Sequence, residues 1–537
     1  MVHKKSRLNE IIGVLAKYGL VQGLNIDRVA WINKELKKHK KPYEFSTEPK
    51  NVRIRLALNE LGTTFIKLGQ TLSTREDLVG KDLAQELSKL QSNTTPDSED
   101  YINQIVNQEH LREELLDFDP KPIASASVGQ VHNAQLEDSS EVVVKIRHQG
   151  VKERVMADLN ILEKLVNAGM KVVPAFKTYN AKDLLFDFRK TLLNELNFKK
   201  ELSNLERFGD YFEKNSKIHF PIAYRNISSE DILVMSKLDG ISVGDPEVQK
   251  LSEDVRKKLA LDGANMYLDM IFKYNFYHAD PHPGNIFIML DQSLGILDCG
   301  MVGRLDAKVK RLIESMIFGL LNEDITAIKE AILELGTIPE EVNRKDLDRD
   351  IEAFIEDFLQ VSVKDFKLSE CVDQGNQLIH KYKISLPSNV TMLLRVLVML
   401  EGTSTLLYAD FNIIELLKSY QPKMIWQQMK PSALKKSFRK KMMEWKEISD
   451  LLPEVAKNVL KAVNKKEMVV KLEHENLNEV AELVVLGIVT GSLIIGGSMM
   501  ISSRIAPLIW DFSGLGLLLF LVGAFLMYRL YRKIRKK

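Results

Sequence analysis

Three polar side chains at fixed intervals between Tyr277 and Gly300 hold the chemistry this chain can do. The stretch reads YHADPHPGN, an apolar run (IFIML), a short DQS, and a second apolar run ending in ILDCG. Asn285 follows Asp280 by five positions, and Asp298 follows Asn285 by thirteen. Phosphoryl transfer needs these residue types in this order. A carboxylate stands beside the attacking hydroxyl or water, and hard oxygen ligands hold Mg²⁺ against the phosphates. The spacing gives Asp280 the first task and Asn285 with Asp298 the second. The two apolar runs around DQS predict a strand hairpin that carries Asn285 and Asp298.

Upstream lies the segment expected to hold the donor. Two β-like runs, Val128–Leu136 and Glu141–Arg147, flank Glu137-Asp138-Ser139-Ser140, a turn by composition. In the second run Val142, Val144 and Ile146 alternate with Val143, Lys145 and Arg147, so Lys145 projects from the face opposite the first set. A lysine two strands after a small-residue loop is how kinases hold the α- and β-phosphates. The loop itself supplies candidate nucleotide contacts at Ala124, Ser125, Ala126, Ser127, Val128, Gly129 and Val131. Alanines stand where such loops carry several glycines; they still admit a phosphate but restrict φ and stiffen the loop. Glu195 or Glu201, in NELNFKKELSN, could pair with Lys145, and spacing alone does not choose between them.

Other elements must position these groups. In VRIRLALNELGTTFIKLGQTL, Leu61, Phe65, Leu68 and Leu72 form one apolar helical stripe, while Lys67 and Gln70 share another face and can reach one target. Gln91–Asp100 reads as a polar break. Helices are expected over Met156–Val173, Leu184–Phe208 and Glu253–Tyr274, and Asp231–Val243 as a strand and turn placed like an inter-lobe hinge against adenine. Beyond Gly300 the chain is helix-rich, and Ser385–Leu407 is its most apolar soluble helix, central to the larger lobe.

Composition sets bounds. The 537 residues leave room for several domains, and 75 Lys plus Arg against 73 Asp plus Glu give no footprint for nucleic acid. Cys299 and Cys371 are the two cysteines, too few for a disulfide framework or a Cys-based zinc site, and suit a reducing compartment. The N-terminus has an apolar run too short for a signal peptide and reads as an amphipathic helix. Basic patches occur at Leu36–Pro42, read as a solvated face, and at Leu434–Lys446, where Phe438 and Trp445 suit either a helix lying on anionic lipid or a solvated helix covering the lobe.

The C-terminus is apolar. Leu483–Ser503 and Phe512–Tyr528 carry no charge, and each with its flanks is long enough for a spanning helix of about 20 residues. The basic tail from Arg529 places that end, and the preceding body, on the cytoplasmic side. Gly487 with Gly491, and Gly514, Gly516 and Gly523, are expected to allow close helix packing.

At KLGQ (Lys67–Gln70), ASASVGQVH (Ala124–His132), VVVKIR with Lys145, ELNFKKE (Glu195–Glu201), HADPHPGN (His278–Asn285) and DCGMVGRL (Asp298–Leu305) the sequence resembles the UbiB/AarF/COQ8-like atypical kinase family. The likeness covers roughly residues 50–410, and the C-terminal hairpin is similar to that of bacterial members. It implies an α+β, two-lobed protein-kinase-like fold with an N-terminal helical extension and a C-terminal transmembrane helical hairpin. The implied parts are a helical segment (1–50), a K-x-G-Q extension (51–95), an N-lobe (115–243), a helical C-lobe (244–480), two transmembrane helices (483–528) and a basic tail (529–537). ATP and Mg²⁺ are the implied cofactors. The K-x-G-Q helix would fold over the site where a protein kinase takes its peptide, with Lys67 and Gln70 reaching in, Lys67 contacting Glu195 and Lys145 pairing with Glu201.

The family members resemble ATPases more than protein kinases and support isoprenoid quinone biosynthesis at the membrane. The implied partners are anionic membrane lipids, prenylated quinone precursors, quinone-biosynthesis enzymes and a second copy of the chain, with no nucleic acid. Two departures stand out. Asn197 occupies the place of a family Asp in E-x-D, and Cys299 replaces the Phe usual between the metal Asp and Gly. The expectation is a membrane-anchored ATPase of prenyl-lipid or quinone metabolism. The alternatives are a small-molecule phosphotransferase of the aminoglycoside/choline-kinase type, which also uses H-x-D-x4-N, and a nucleotide-sensing scaffold without turnover.

Overall fold

The computed structural model describes residues 2–20, 48–429 and 477–535, apart from short stretches at 74, 91–93, 110, 173–175, 177–180, 503–507 and 510–511. The chain divides into two compact units, Met1–Ala433 and Leu434–Lys537. The basic patches at 36–42 and 434–446 lie outside the described residues.

The first unit opens with helices α1 (Val2–Lys17), α2 (Lys50–Leu61), α3 (Thr63–Ser73), α4 (Glu76–Val79) and α5 (Lys81–Leu87). The stripe Leu61/Phe65/Leu68/Leu72, expected on one helix, crosses a break. Gly62 has φ +89°, which L side chains rarely adopt, so α2 ends and α3 starts afresh. Leu61 and Phe65 still reach one core, with Ile11, Val14, Ala57 and Ile161. A buried polar knot fastens this extension to the body: Arg7 donates to both Asp158 oxygens (2.7 and 3.1 Å) and to Leu61 O (2.6 Å), and Thr64 Oγ1 donates to Asp158 Oδ2 (2.7 Å). A buried charge with such a set of partners is held at one position.

Helix α6 (Glu99–Gln108), capped by Ser98, begins inside the stretch expected to be a break. It covers one face of an antiparallel sheet in the order β1 (Leu115–Phe118), β3 (Gly129–Leu136), β4 (Glu141–Arg147) and β6 (Ile232–Ser236), with β2 (Ala124–Ser125) also paired to β3. Alternation sorts β4: Val142, Val144 and Ile146 are fully buried against Ile102, Ile105 and Val106 of α6, and Lys145 points the other way. Between β4 and β6 run α7 (Val151–Val172), α8 (Ala181–Glu195), α9 (Phe198–Phe212) and β5 (Ile218–His219). Leu184–Phe208 is therefore two helices rather than the one expected. The chain turns at Leu196–Asn197, where Asn197 accepts from the Lys199 N–H (3.0 Å) as N-cap of α9 and Arg147 donates to Leu196 O (2.8 Å).

After β7 (Gly240–Ser242) the chain becomes helical. Helix α10 (Glu253–Leu268) ends in a π-type turn, Asp269–Lys273, where a plain helix to Tyr274 was expected; Tyr420 Oη donates to Asp269 (2.7 Å) at this widened turn. Strands β8 (Phe276–His278) and β11 (Val302–Arg304) pair with each other, and β9 (Ile286–Met289) and β10 (Leu294–Ile296) form the expected hairpin in a sheet ordered β5–β10–β9–β7. Then follow α11 (Ala307–Asn322), α12 (Ile325–Leu335), α13 (Arg344–Leu359), α14 (Leu368–Tyr382), α15 (Ser388–Leu407) and α16 (Ile413–Met429). Among the described residues α15 alone is long and apolar enough to cross a membrane, yet its Val390, Leu393, Val396, Leu400 and Leu407 are buried in the main core. It is the central helix of the larger lobe.

The second unit holds two apolar helices, α17 (Leu477–Ser502) and α18 (Gly514–Arg535), joined through a minimal pair β12 (Leu508–Ile509) and β13 (Phe512–Ser513). They pack closely, but not where the first G-x-x-x-G was expected to act. Among the described residues nothing lies within 4 Å of a Cβ placed on Gly487 or Gly491, whereas one on Gly497 would meet Phe520 N at 2.7 Å and Gly516 O at 2.8 Å, and one on Gly523 would meet Ile494 Cγ1 at 2.7 Å. Ile495, Met499, Leu518, Leu521 and Phe525 stand exposed on the hairpin.

Candidate active site

Lys145 lies opposite Val131 across the β3–β4 ladder and leans toward α9. Its Nζ is 2.9 Å from both Glu201 oxygens and 3.4 Å from Asp298 Oδ2, above the Phe198 ring (5.3 Å). The turn at 196–197 decides which glutamate it takes. Glu201, in the first turn of α9, is buried beside Lys145, while Glu195, at the end of α8, receives Lys67 Nζ at 2.8 Å. Burial pulls the Lys145 ammonium down, but Asp298 and Glu201 outweigh it and raise it above the ordinary lysine value. Lys67 behaves alike: burial lowers it, and Glu195, then Asp298, raise it. Lys67 thus shares the field of the candidate metal ligand.

The catalytic stretch is fixed by its backbone. His278, fully buried, donates through Nε2 to Asp298 O and accepts at Nδ1 from Tyr267 Oη (3.1 Å) and the Asp280 N–H (3.3 Å), so one ring ties the two acidic segments together. Asn285 Nδ2 donates to Asp280 Oδ2 (3.0 Å) and Asp280 O (3.2 Å), leaving its Oδ1 for another ligand. Asp298 has a half-open side chain (51 %) and accepts the Gly300 N–H at 2.8 Å. Burial tends to push its carboxyl up; Lys145, the Gly300 N–H and Lys67 together draw it down to about 2. Two hard oxygen donors side by side with a doubly paired lysine suit Mg²⁺, which takes one or two protein ligands and completes its shell with phosphates and water. Among the described residues no group of three or more His, Cys, Asp or Glu forms an all-protein cage.

The small-residue loop is only partly open. Ala124 and Ala126 are exposed, while Ser127, Val128 and Gly129 are buried, Val128 in the main core. A Cβ on Gly129 would lie 2.5 Å from Ile146 O, so only glycine fits this strand pairing. Two residues that sequence reasoning missed hold the loop. His148 places Nδ1 on Asp97 (2.7 Å) and Nε2 on Ala126 O (2.9 Å), and Thr63, first residue of α3, donates to Ser127 O (3.1 Å). No periodicity marks Asp97 or His148; the one signal is their position, Asp97 in the polar break and His148 directly after the lysine strand.

The K-x-G-Q residues divide their work. Lys67 enters the site through Glu195. Gln70, expected to reach in beside it, donates to Leu90 O (3.0 Å) and ties α3 to the chain after α5. Gly69 makes room for that chain, since a Cβ there would meet Leu90 Cδ1 at 2.3 Å. Asn197 caps α9 and donates to Glu230 (3.3 Å), so its polar atoms serve the turn. Cys299 is fully buried, and its carbonyl accepts from Asn204 of α9 (2.9 Å), which fixes the turn after Asp298.

Comparison with known proteins matches three consecutive regions. Residues 89–332 match the ABC1 atypical kinase-like domain, 351–412 the UbiB helical domain, and 472–536 the ABC1/UbiB kinase-like C-terminal domain. A Clostridium pasteurianum protein, described as an uncharacterized protein in the hydrogenase 1 5′ region, is 30% identical over 544 residues, covering 98% of this chain and 97% of its own. A Pseudomonas fluorescens protein described as probable protein kinase UbiB is 31% identical over 403 residues, covering 74% and 75%. A solved structure from Mycobacterium tuberculosis, titled as the Rv3197–erythromycin complex, covers 67% of this chain and 93% of its own at 22% identity and TM-score 0.47.

Proposed function

The chain belongs to the ABC1/UbiB family of atypical kinase-like proteins, and on that premise we propose that it is an ATP-hydrolysing enzyme, anchored in the cell membrane with its body in the cytoplasm, that supports isoprenoid quinone or prenyl-lipid biosynthesis. One observation carries the reading: Lys145–Glu201, Asp280–Asn285 and Asp298 converge on one cleft with Lys67 beside them. In that reading Lys145 holds the α- and β-phosphates of ATP, and Ala124–Ala126 offer backbone that a phosphate can approach. Asn285 Oδ1 and Asp298 would hold Mg²⁺, which when bound would supply positive charge against the phosphates. Asp280, its carboxylate oriented by Asn285, takes the proton of the attacking oxygen.

In the family reading the K-x-G-Q helix, here held by Lys67 on Glu195, covers the approach of a peptide, which favours water or a small hydroxyl over a protein as acceptor. The exposed apolar side chains of the glycine-packed hairpin, together with the basic tail, support the membrane anchor. Anionic lipid, a prenylated phenol, quinone-biosynthesis enzymes and a second copy of the chain are its proposed partners.

The test is phosphate release from Mg·ATP by the full chain and by Asp298→Asn, with and without anionic liposomes and a prenylated phenol. Lipid-stimulated release that vanishes in the variant supports the proposal. Phosphate recovered on the phenol instead would make the protein a phosphotransferase. Tight ATP binding with no turnover under any condition would leave a nucleotide-sensing scaffold.

A further inference from the structure

Helix α15 runs between two anchors on the catalytic segments. Near its start Asn389 donates to Asp306 Oδ2 (3.1 Å), just past β11; near its end Thr403 Oγ1 donates to Pro281 O (2.8 Å), one residue after Asp280. Strands β8 and β11, which lead into and out of this region, pair with each other. Arg395 lies between the anchors. Its neighbours Leu393 and Val396 enter the core, while Arg395 is part-buried and makes no hydrogen bond, ion pair or ring contact among the described residues. Burial pulls its guanidinium below the ordinary arginine value, and Asp280 restores part of it.

The other cations of the cleft are committed, Lys145 to Glu201 and Asp298, Lys67 to Glu195. His282, two residues past Asp280, turns its Nδ1 back to accept the Gly284 N–H (3.1 Å). An arginine stays charged and carries five N–H donors in a fixed fork, so one left without an acceptor beside the catalytic carboxylate is a donor set suited to an anion. A phosphoryl group in transfer spreads charge over three equatorial oxygens. Lys145 and the metal ligands serve the nucleotide in that reading, and α15, bonded to the catalytic segment at Pro281, carries Arg395.

We propose that Arg395 is a catalytic residue that donates to the equatorial oxygens of the γ-phosphoryl group as it leaves ADP for the nucleophile held at Asp280. This rests on the reading of the cleft as an ATP site. In the step, the attacking oxygen bonds to phosphorus, and the bond from phosphorus to the β–γ bridging oxygen breaks with its electron pair staying on ADP. The proton of the nucleophile passes to Asp280. Arg395 transfers nothing and neutralises charge that is greatest in flight.

The test is binding of Mg·ADP to the full chain with and without aluminium fluoride, whose planar adduct imitates the travelling phosphoryl group. The wild type is expected to bind Mg·ADP more tightly with the fluoride. Arg395→Gln is expected to keep its affinity for Mg·ADP within about twofold and to lose the fluoride-dependent gain, with turnover falling on the order of a hundredfold or more, as for loss of one transition-state donor. Arg395→Lys preserves size and charge, guarding against a misfolded glutamine variant, and should lose most of the gain because an ammonium lacks the fork. A full gain retained in either variant overturns the proposal, as does a wild type that binds Mg·ADP without any gain. A wild type that binds no nucleotide overturns the ATP reading itself, and this proposal with it.

Discussion

Lys67 Nζ lies 2.8 Å from Glu195 Oε2, so the helical extension delivers a cation to the end of α8 while Lys145, the neighbouring cation, pairs with Glu201. Both members of the Lys67–Glu195 pair are largely removed from water. Such a pair contributes little relative to apolar residues, but either partner left alone is a stranded charge. Lys67→Ala and Glu195→Ala should each destabilise the chain by about 3 kcal/mol. The double variant should lose less than the two together, with a coupling of about 1–3 kcal/mol. Denaturant unfolding of the four proteins measures it, and a coupling of zero would make the contact incidental.

Asn197→Ala removes the N-cap of α9 and should cost about 1 kcal/mol, while Asn197→Asp keeps the cap. Neither should change the affinity for Mg·ATP, since Asn197 bonds to Lys199 and Glu230 rather than to Lys67. Calorimetric titration of nucleotide against both variants decides this. A tenfold shift in affinity would assign Asn197 to the site after all.

Gly129→Ala puts a methyl group 2.5 Å from the Ile146 carbonyl oxygen, an immovable backbone atom in the strand beside Lys145. Overpacking of this kind is expected to cost about 1–3 kcal/mol. A lowered melting temperature together with weakened nucleotide binding is the outcome expected. An unchanged melt would mean that β3 and β4 separate more readily than their seven-residue pairing suggests.

Asp298 is held at about 2 in the folded chain against an ordinary value of 3.8. A depressed acid adds stability above its unfolded value, and that contribution fades as the pH falls through the folded one. The stability difference between wild type and Asp298→Asn should therefore shrink as the pH is lowered from about 4 toward 2, and added salt should reduce it, because half of the side chain meets solvent. Urea midpoints across that range test the sign. A difference that grows on acidification would refute it.

The sequence carried the reactive groups more clearly than their partners. Asp280, Asn285 and Asp298 could be read because phosphate chemistry dictates residue type and the β9–β10 hairpin dictates separation. Lys145 could be placed because alternation along β4 sorts its neighbours into the α6 core. The choice between Glu195 and Glu201 was hidden, since it turns on a two-residue break at Leu196–Asn197 inside what reads as continuous helix. The break is made by a cap and by Arg147 reaching Leu196 O from a strand 49 positions upstream, contacts no local pattern encodes. The Asp97–His148 clamp was invisible for the same reason. In the hairpin the G-x-x-x-G spacing pointed to Gly487 and Gly491, which meet no facing atom among the described residues, whereas Gly516 and Gly523, also expected to allow close packing, do lie at the contact, facing Gly497 and Ile494.

The extension has a mechanical meaning as well. At one end α3 is bound to the sheet-bearing lobe through the Arg7–Asp158–Thr64 knot and the Thr63–Ser127 contact, and at the other α4 packs on α14 while Lys81 bridges to Asp373 of the helical lobe. The lobes also meet through the covalent strap between β6 and β7. With Asn204 of α9 donating to the Cys299 carbonyl and β5 paired to β10 as well, the two lobes are fastened at several places rather than at one hinge. A seam fastened at several places resists the wide parting of two bodies that share a single connection.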